Sequence, residues 1–276
     1  IVLSTFFYLS ALICYIQYMR NSKWQYLLAS VVSSILAMGC KEQSVIIVPC
    51  LLLFDWMLFK RNMRSLKVYI EKVYYLIPAI AIFIVTLVAN KNTGEEIIGY
   101  TIVDRFIFLC YSSFKYLLIS AIPFKLSYLY PFPFQVGEKI PMALWIYPFV
   151  ILFIGYVIYL NRRKPLLVFC TLFFILHLLP VLHVIPLPRY VVAADRYLYI
   201  PYIAFAIGLS ILSYHLYERQ RKWILYAGFL YCSYLCVYTA GYAPAWKNSD
   251  TLKEHFKEVL KKRETNLSIN FKHEKQ

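Results

Sequence analysis

The chain has 276 residues, of which 61% are hydrophobic, 18% are aromatic and 16% are charged. A soluble domain of this size carries about 25% charged residues, and several apolar runs reach the roughly 18–20 residues that a helix needs to cross a bilayer. The composition therefore predicts an all-α polytopic membrane protein. The net charge of +15 is explained by basic loops on the cytoplasmic side of such a protein, so no nucleic-acid partner is expected.

Nine apolar segments follow one another along the chain, at about 1–18, 24–40, 44–59, 73–90, 105–122, 142–160, 165–182, 198–214 and 223–240. Basic residues cluster in four of the connections, namely 20–23, 60–72, 162–164 and 219–222. Because lysine and arginine are concentrated in cytoplasmic loops, we expect all four clusters on the cytoplasmic side.

The segment 105–122 is predicted to be an interfacial helix and not a crossing. Three segments separate the second basic cluster from the third, whereas two loops on one side of a membrane need an even number of crossings between them. Arg105, Ser112, Ser113 and Lys115 fall near one helical face, as in a helix that lies in the outer leaflet. Residues 1–240 are therefore predicted to form about eight transmembrane helices, with one exoplasmic interfacial helix inside an excursion over 91–141.

The residues at the two ends of the chain lead to two further predictions. Ile1 opens inside an apolar run, so we expect further protein upstream of it. Residues 241–276 are predicted to be an exoplasmic tail with one amphipathic helix, because Leu252, Phe256, Val259 and Leu260 repeat at helical spacing. A single amphipathic helix cannot bury its apolar face alone, so it is interpreted as membrane-bound or as the start of a helical-repeat region.

The segment 195–201, Asp-Arg-Tyr-Leu-Tyr-Ile-Pro, is the first candidate site. Tyrosine and arginine at a membrane interface commonly act as anchors, and that interpretation stays open. Guanidinium groups are also preferred donors to phosphate, and a second arginine, Arg189, precedes the motif in a proline-rich loop with His183. Arg196 and Arg189 are therefore candidates to bind a lipid phosphate, with Asp195 placed to orient one of them.

Two further features are predicted on the same side of the membrane. Lys41 and Glu42 occupy a short turn, which is either a charged hairpin or a rigidly held cation and carboxylate. Tyr130 belongs to an aromatic and proline-rich run over 128–134, which either lies on lipid or forms one wall of a sugar groove. The sequence shows no metal-ligand spacing, and the seven cysteines lie mostly in apolar segments, as small hydrophobic residues do.

These motifs and their order resemble the GT-C-type membrane glycosyltransferases that carry tetratricopeptide repeats, the transmembrane-and-TPR O-mannosyltransferase group. That family has a Ser/Gly-Lys-Glu turn, similar to 39–43 with Cys40 in the small position. It has a Glu-Arg-Tyr-Leu-Tyr-Leu-Pro motif, similar to 195–201 with Asp for Glu and Ile for Leu. It also has a Tyr-Pro loop similar to 130–133, and a Trp-x-x-x-x-Thr-Leu lead-in to its repeats, similar to 246–252.

The resemblance implies a GT-C-like fold and a mannosyltransferase-like activity. The expected donor is a polyprenyl- or dolichyl-phosphate sugar, and the expected acceptor is a hydroxyl of a protein or glycan on the exoplasmic side. A bacterial inner membrane is favoured, with the endoplasmic reticulum membrane as the alternative. The implied donor-phosphate ligands are Arg196, Arg189 and Lys41, and the implied lining residues are His183, Tyr197, Tyr199 and Tyr130.

The family's catalytic carboxylate is expected in a large loop for which this chain has no equivalent before residue 40. The base is therefore expected upstream of Ile1, with Glu42 and Asp195 as weaker candidates. Neither a metal nor a cofactor other than the lipid-linked donor is expected. Two other functions stay open: a transporter or flippase of a lipid-linked glycan, which would place polar residues inside the spans, and a membrane scaffold that presents exoplasmic repeats.

Overall fold

A computed structural model describes residues 1–89, 99–124, 126–183, 191–218, 223–254 and 257. It is 79% helical, and the described residues contain no strand. The all-α prediction is therefore confirmed. In chain order the α-helices of the described residues are α1 (Val2–Asn21), α2 (Trp24–Cys40), α3 (Ile47–Met57), α4 (Leu66–Ala89), α5 (Ile102–Ala121), α6 (Ile146–Leu160), α7 (Pro165–Leu178), α8 (Pro201–Glu218) and α9 (Trp223–Tyr242).

Four helical stretches are long and apolar enough to cross a membrane: Val2–Asn21, Leu66–Ala89, Met142–Leu160 and Trp223–Trp246. Two shorter apolar helices, Trp24–Cys40 and Pro165–Val181, accompany them. Neither α6 nor α9 has a buried residue, which suits helices that face lipid. The helices define a membrane protein, whereas the count of eight crossings and the GT-C-like arrangement stay predictions.

Small and hydroxylic residues hold α1, α2 and α4 together. Ser30 on α2 donates from Oγ to the carbonyl oxygen of Ala11 on α1 at 2.7 Å. The hydroxyl of Tyr75 on α4 donates to Ser30 Oγ at 2.8 Å. Small side chains let helix backbones approach closely, and hydroxyls then connect them where lipid offers no other partner.

The bundle has two ends, which we name by their charged residues. The upper end carries Lys41 and Arg196, and the lower end carries the connections at 58–65 and 161–164. Helix α1 runs from the upper to the lower end, since Ser4 contacts Ser44 at one end and Tyr15 contacts Asp55 at the other.

The lower end differs from the sequence-based expectation, because α4 begins at Leu66 instead of about residue 73. Glu71 and Lys72 therefore lie inside the helix and are buried, as is Asp55 on α3. Lys72 Nζ lies 2.6 Å from Asp55 Oδ2, and Arg61 holds Glu71 through two hydrogen bonds of 2.6 and 3.1 Å. Pairing with Asp55 and Arg61 lets two charges, Glu71 and Lys72, enter the helical region that the sequence alone assigned to a loop.

Helix α5 is the segment that was predicted to be interfacial, and the chain that follows it packs against α9. Its last residue, Ala121, accepts a hydrogen bond of 2.8 Å from the hydroxyl of Tyr231, halfway along α9. The chain then runs beside α9 toward the C-terminal end of that helix, where Leu126 donates its N–H to the hydroxyl of Tyr238 at 2.9 Å. Residues 121–124 and 126 thus pack along α9 as the chain returns to the upper end, and that α5 does not cross the membrane stays a prediction.

The predicted amphipathic helix of the tail begins at 249 and is helical through 254. Asn248 caps it, because its Oδ1 accepts from the N–H of Thr251 at 2.8 Å. Apart from residue 257, the rest of the predicted helix lies outside the described residues.

Candidate functional site: a cationic cleft at the upper end

A small cleft with a cavity volume of about 40 Å³ opens at the upper end of the bundle. Its walls come from α1, the turn after α2, α7 and the 3-10 turn before α8. The polar residues that matter for its chemistry are Thr5, Tyr8, Lys41, Gln43, His177 and Arg196. The cleft therefore joins segments from both halves of the sequence.

The turn after α2 is held against the start of α1 by two serines. Ser4 Oγ donates its single proton to the carbonyl oxygen of Ala37 at 3.0 Å, so the 2.8 Å contact with Ser44 is a donation from Ser44 to Ser4. Lys41 is extended (φ −157°, ψ 121°) and a 3-10 helix, Glu42–Ile46, follows it. The chain reverses direction within a few residues, and Lys41 and Gln43 are held at the cleft.

Arg196 enters the cleft from the other wall and is fixed by aromatic contacts. Its guanidinium lies 4.6 Å from the ring centroid of Tyr128 and 5.2 Å from that of Tyr197. Its Nη1 donates to the carbonyl oxygen of Tyr128 at 3.4 Å. Among the described residues no carboxylate lies within ion-pairing distance, so most of its five N–H donors remain available to an anion.

Lys41 is already partly neutralised. Its ammonium forms an ion pair with Glu42, and both side chains are about one-third exposed, at 30% and 38%. An ion pair with this exposure is weak, because water screens it. The cleft therefore carries a modest positive charge, concentrated on Arg196, with one carboxylate at its edge.

The floor of the cleft is a hydrogen-bonded pair between α1 and α7. Nδ1 of His177 lies 2.8 Å from the carbonyl oxygen of Phe173, which can only accept, so Nδ1 carries the proton. Nε2 of a neutral His177 then accepts from the hydroxyl of Tyr8 at 2.8 Å. With both ring nitrogens occupied, His177 packs as a neutral side chain beneath the two cations.

The structure brings four of the predicted site residues to one place. Lys41, Arg196, Tyr197 and Tyr199 all line the cleft. Tyr199 is half exposed, at 52%, and presents an aromatic face at the rim. Arg189 lies outside the described residues.

Two other predicted lining residues are placed differently, because they are buried behind the wall. Tyr130 is 7% exposed; its N–H donates to the carbonyl oxygen of Ala193 and its carbonyl oxygen accepts from the N–H of Val192, both at 2.9 Å. His183 is 8% exposed, packs edge-to-face against Phe132 with ring centroids 5.3 Å apart, and has its Nε2 3.1 Å from the carbonyl oxygen of Val192. These residues join the 127–134 loop to the 191–196 segment and support the wall that carries Arg196.

Asp195 also faces away from the cleft, which corrects the expectation that it orients an arginine. Successive side chains of a 3-10 turn point about 120° apart, so Asp195 and Arg196 are directed to different sides. Oδ1 of Asp195 accepts from the Tyr130 hydroxyl at 2.8 Å, and its buried Oδ2 has no hydrogen-bond partner among the described residues. Burial raises the pKa of Asp195 to about 6, against the opposing effect of the Tyr130 hydrogen bond.

Lys115 on α5 is a basic residue that lies close to Tyr130 and Asp195, outside the cleft. Its ammonium lies 4.3 Å from the ring centroid of Tyr130, and burial lowers its pKa while the field of Asp195 raises it. Both groups contact Tyr130, the carboxylate at its hydroxyl and the ammonium over its ring, and neither lines the cleft.

Gln43 and the residues of α1 that line the cleft were not predicted as site residues. Ile1, Ser4, Thr5 and Tyr8 all line the cleft and are spaced as one face of a helix, at i, i+3, i+4 and i+7. That spacing could have been recognised as a polar stripe in an otherwise apolar span. Gln43 carried no signal beyond its position next to Lys41 and Glu42.

The fold and the cleft together define a multi-helix membrane protein with a cationic cleft at one end of its bundle. Within the described part of the chain, no three potential metal ligands cluster together. Comparison with protein-family models, with curated proteins and with solved structures found no match.

Proposed function

We propose that this chain is the membrane portion of a GT-C-type glycosyltransferase. The proposed donor is a polyprenyl- or dolichyl-phosphate sugar, and the proposed acceptor is a hydroxyl of a protein or glycan on the exoplasmic side. The observation that carries the proposal is the meeting of Lys41 and Arg196 in one cleft at the end of a membrane bundle. A phosphate at this depth belongs most naturally to a lipid, and a guanidinium with free donors is suited to bind it.

The chemistry needs two contributions from the protein. The acceptor oxygen attacks the anomeric carbon, the bond from that carbon to the phosphate oxygen breaks, and the polyprenyl phosphate leaves with the bonding electrons. Arg196 and Lys41 stabilise the charge that develops on this leaving phosphate. The acceptor proton passes to a carboxylate acting as general base.

Glu42 is the carboxylate of the described residues that lies at the edge of the cleft, through its ion pair with Lys41. Asp195 is the weaker candidate, because its carboxylate is directed toward Tyr130 behind the wall.

The buried charges at the lower end bear on the alternative of a glycan-lipid transporter. Asp55, Glu71 and Lys72 do lie within helices, as a transport path would require. Their charges are matched to one another and to Arg61 at hydrogen-bonding distance, which is the arrangement of a structural cluster. We therefore favour the glycosyltransferase over the transporter, and the scaffold hypothesis is separated from both by donor-lipid binding.

The decisive variants are Arg196→Ala and Arg196→Lys in the full-length protein reconstituted in vesicles. Loss of a charged hydrogen bond is worth about 1.5–3 kcal/mol, so transfer of mannose from polyprenyl-phosphate mannose should fall roughly 10- to 100-fold in Arg196→Ala. Arg196→Lys should retain an intermediate rate, because lysine keeps the charge without the guanidinium geometry. Lys139→Ala, an exposed cation at the same end, is the control. Undiminished transfer by a normally expressed Arg196→Ala protein would refute the phosphate role.

The side of the membrane is tested separately by cysteine labelling. In a background with serine at the exposed cysteines Cys40, Cys232 and Cys236, a Lys139→Cys variant should react with an impermeant maleimide added outside intact cells. An Asn62→Cys variant, at the lower end, should react only after permeabilisation. The opposite pattern would place the cleft in the cytoplasm and exclude an exoplasmic transferase.

A further inference from the structure

Gln43 holds a hydrogen-bond donor inside the cleft without a partner. Its Nε2 is buried and makes no hydrogen bond among the described residues, and the side chain lines the cleft. Buried polar groups are nearly always paired in native proteins, and an unpaired one costs free energy. A buried donor of this kind in the wall of a cleft indicates that the missing acceptor belongs to a ligand.

The neighbours of Gln43 indicate what kind of acceptor this is. The two cations of the cleft, Lys41 and Arg196, already supply charged donors for a phosphate. Thr5, Gln43 and the aromatic residue Tyr197 add uncharged donors and a ring face to the same cleft. Neutral hydrogen-bonding groups combined with aromatic faces match the surface of a sugar, which offers hydroxyl oxygens and apolar ring faces.

We propose that Gln43 is a specificity-determining residue that donates a hydrogen bond from Nε2 to a hydroxyl or ring oxygen of the sugar on the lipid-phosphate donor. This inference rests on the proposed glycosyltransferase function and assigns separate parts of the donor to separate residues. Arg196 and Lys41 bind the phosphate, which every donor lipid shares, and Gln43 senses whether a sugar is attached. A site with a buried hydrogen-bonding group discriminates against ligands that leave the group unpaired.

The key variant is Gln43→Met, which keeps the length of the side chain and removes the amide. If Gln43 had a structural role, its loss would lower the thermal unfolding temperature. Because Nε2 has no partner within the part of the chain that the structure describes, we expect that temperature to be unchanged or raised. Gln43→Glu is the second variant, since it keeps the shape and replaces the donor by a carboxylate. The exposed glutamine at the same end, Gln135, is changed to Met and to Glu as the matched control.

The full-length protein in lipid nanodiscs is titrated with three probes: polyprenyl phosphate, polyprenyl-phosphate mannose and polyprenyl-phosphate glucose. For the wild type we expect one of the sugar lipids to bind more tightly than the sugar-free lipid. In Gln43→Met the affinity for that sugar lipid should fall about three- to tenfold, the value of one neutral hydrogen bond. The affinity for sugar-free polyprenyl phosphate should change less than twofold, and the Gln135 variants should bind like the wild type.

An equal loss of affinity for all three lipids would reassign Gln43 to the phosphate and overturn the inference. So would an unchanged affinity for the preferred sugar lipid, or a wild-type protein that binds the sugar-free lipid as tightly as both sugar lipids. Failure of the proposed function has a different signature: none of the three lipids binds more tightly than phosphatidylglycerol, and Arg196→Ala alters no affinity.

Discussion

The hydroxyl of Tyr130 donates a hydrogen bond to Oδ1 of Asp195 across 2.8 Å, and this contact joins the two segments that frame the cleft. The same hydroxyl oxygen accepts from the N–H of Ser127 at 3.0 Å. The backbone pairing of Tyr130 with Ala193 reinforces the junction. Because Arg196 directly follows Asp195, its position in the cleft depends on this junction.

Removing the Tyr130 hydroxyl should therefore destabilise the protein and weaken the cleft. In Tyr130→Phe the buried carboxylate of Asp195 loses its hydrogen bond and the N–H of Ser127 loses its acceptor. Unpaired buried groups cost about 1–3 kcal/mol each, so we expect the free energy of unfolding in detergent to fall by about 2 kcal/mol or more. Tyr156→Phe, on the exposed face of α6, should leave stability unchanged. An equally stable Tyr130→Phe protein would show that the junction contributes little.

The buried carboxyl of Asp195 should make stability depend on pH. Burial raises its pKa in the folded protein to about 6, from an ordinary value of 3.8. A carboxyl with a raised pKa binds its proton more tightly in the folded state. The contribution of the protonated Asp195 to the free energy of unfolding is therefore fully present below about pH 4 and is lost as the pH rises through about 6.

The measurement for this prediction is the difference in unfolding free energy between wild type and Asp195→Asn as a function of pH. The amide introduced by this substitution does not titrate, so the difference should shift in favour of the variant by up to about 3 kcal/mol between pH 4 and pH 7.5. Titrating groups that do not interact with Asp195 cancel in this difference; Lys115 does interact with it, so Lys115→Met in both proteins shows its share of the effect. A difference that does not vary with pH would contradict the raised pKa.

The charge cluster at the lower end should be sensitive to the loss of one partner. Asp55 is completely buried, and its Oδ1 accepts from the Tyr15 hydroxyl at 2.6 Å while its Oδ2 faces Lys72. Asp55→Asn removes the nearer counter-charge of the buried Lys72 ammonium and leaves only Glu71, at 3.8 Å, so we expect a loss of up to about 3–5 kcal/mol. The double variant Asp55→Asn/Lys72→Met should regain most of this loss, because no unpaired charge remains.

Lys67→Met serves as the control for that series, since Lys67 is an exposed lysine on the same helix. Thermal unfolding in detergent, or the yield of folded protein, reports the effect. If the single variant is as stable as the wild type, or the double variant is less stable than the single one, the cluster does not act as a neutral unit.

The position of residues 121–124, where α5 ends, should depend on tyrosines of α9. Tyr231 and Tyr234 donate to the carbonyl oxygens of Ala121 and Pro123, at 2.8 and 2.6 Å. Lipid offers these carbonyls no alternative donor, so the double change to Phe should lower the free energy of unfolding by about 2–4 kcal/mol. Tyr226→Phe on the exposed face of α9 is the matched control. If the double variant keeps full stability and the same protease resistance at 121–128, the hydroxyls are not needed for the return of the chain.

The sequence was sufficient for features that follow from hydrophobic length and residue type. Apolar runs long enough to cross a bilayer predicted the helices, and α2, α6, α7 and α9 have at least one end at the predicted residue. The odd number of segments between two basic clusters led to the prediction that α5 is interfacial and not a crossing, and this stays a prediction. Residue chemistry alone selected Lys41, Arg196, Tyr197 and Tyr199, since cations and tyrosines between apolar spans are either anchors or ligand contacts.

Tertiary structure decided which of these residues share a site, because only the packing of α1, α7 and two turns determines what faces the cleft. Asp195 and Arg196 are neighbours in sequence, yet the 3-10 turn sends one behind the wall and the other into the cleft. By residue type alone Glu71 and Lys72 were assigned to a loop, whereas in the structure their pairing with Arg61 and Asp55 lets them lie inside α4. Only the folded structure shows that Nε2 of Gln43 has no partner among the described residues, because the packing around a side chain determines which acceptors it can reach.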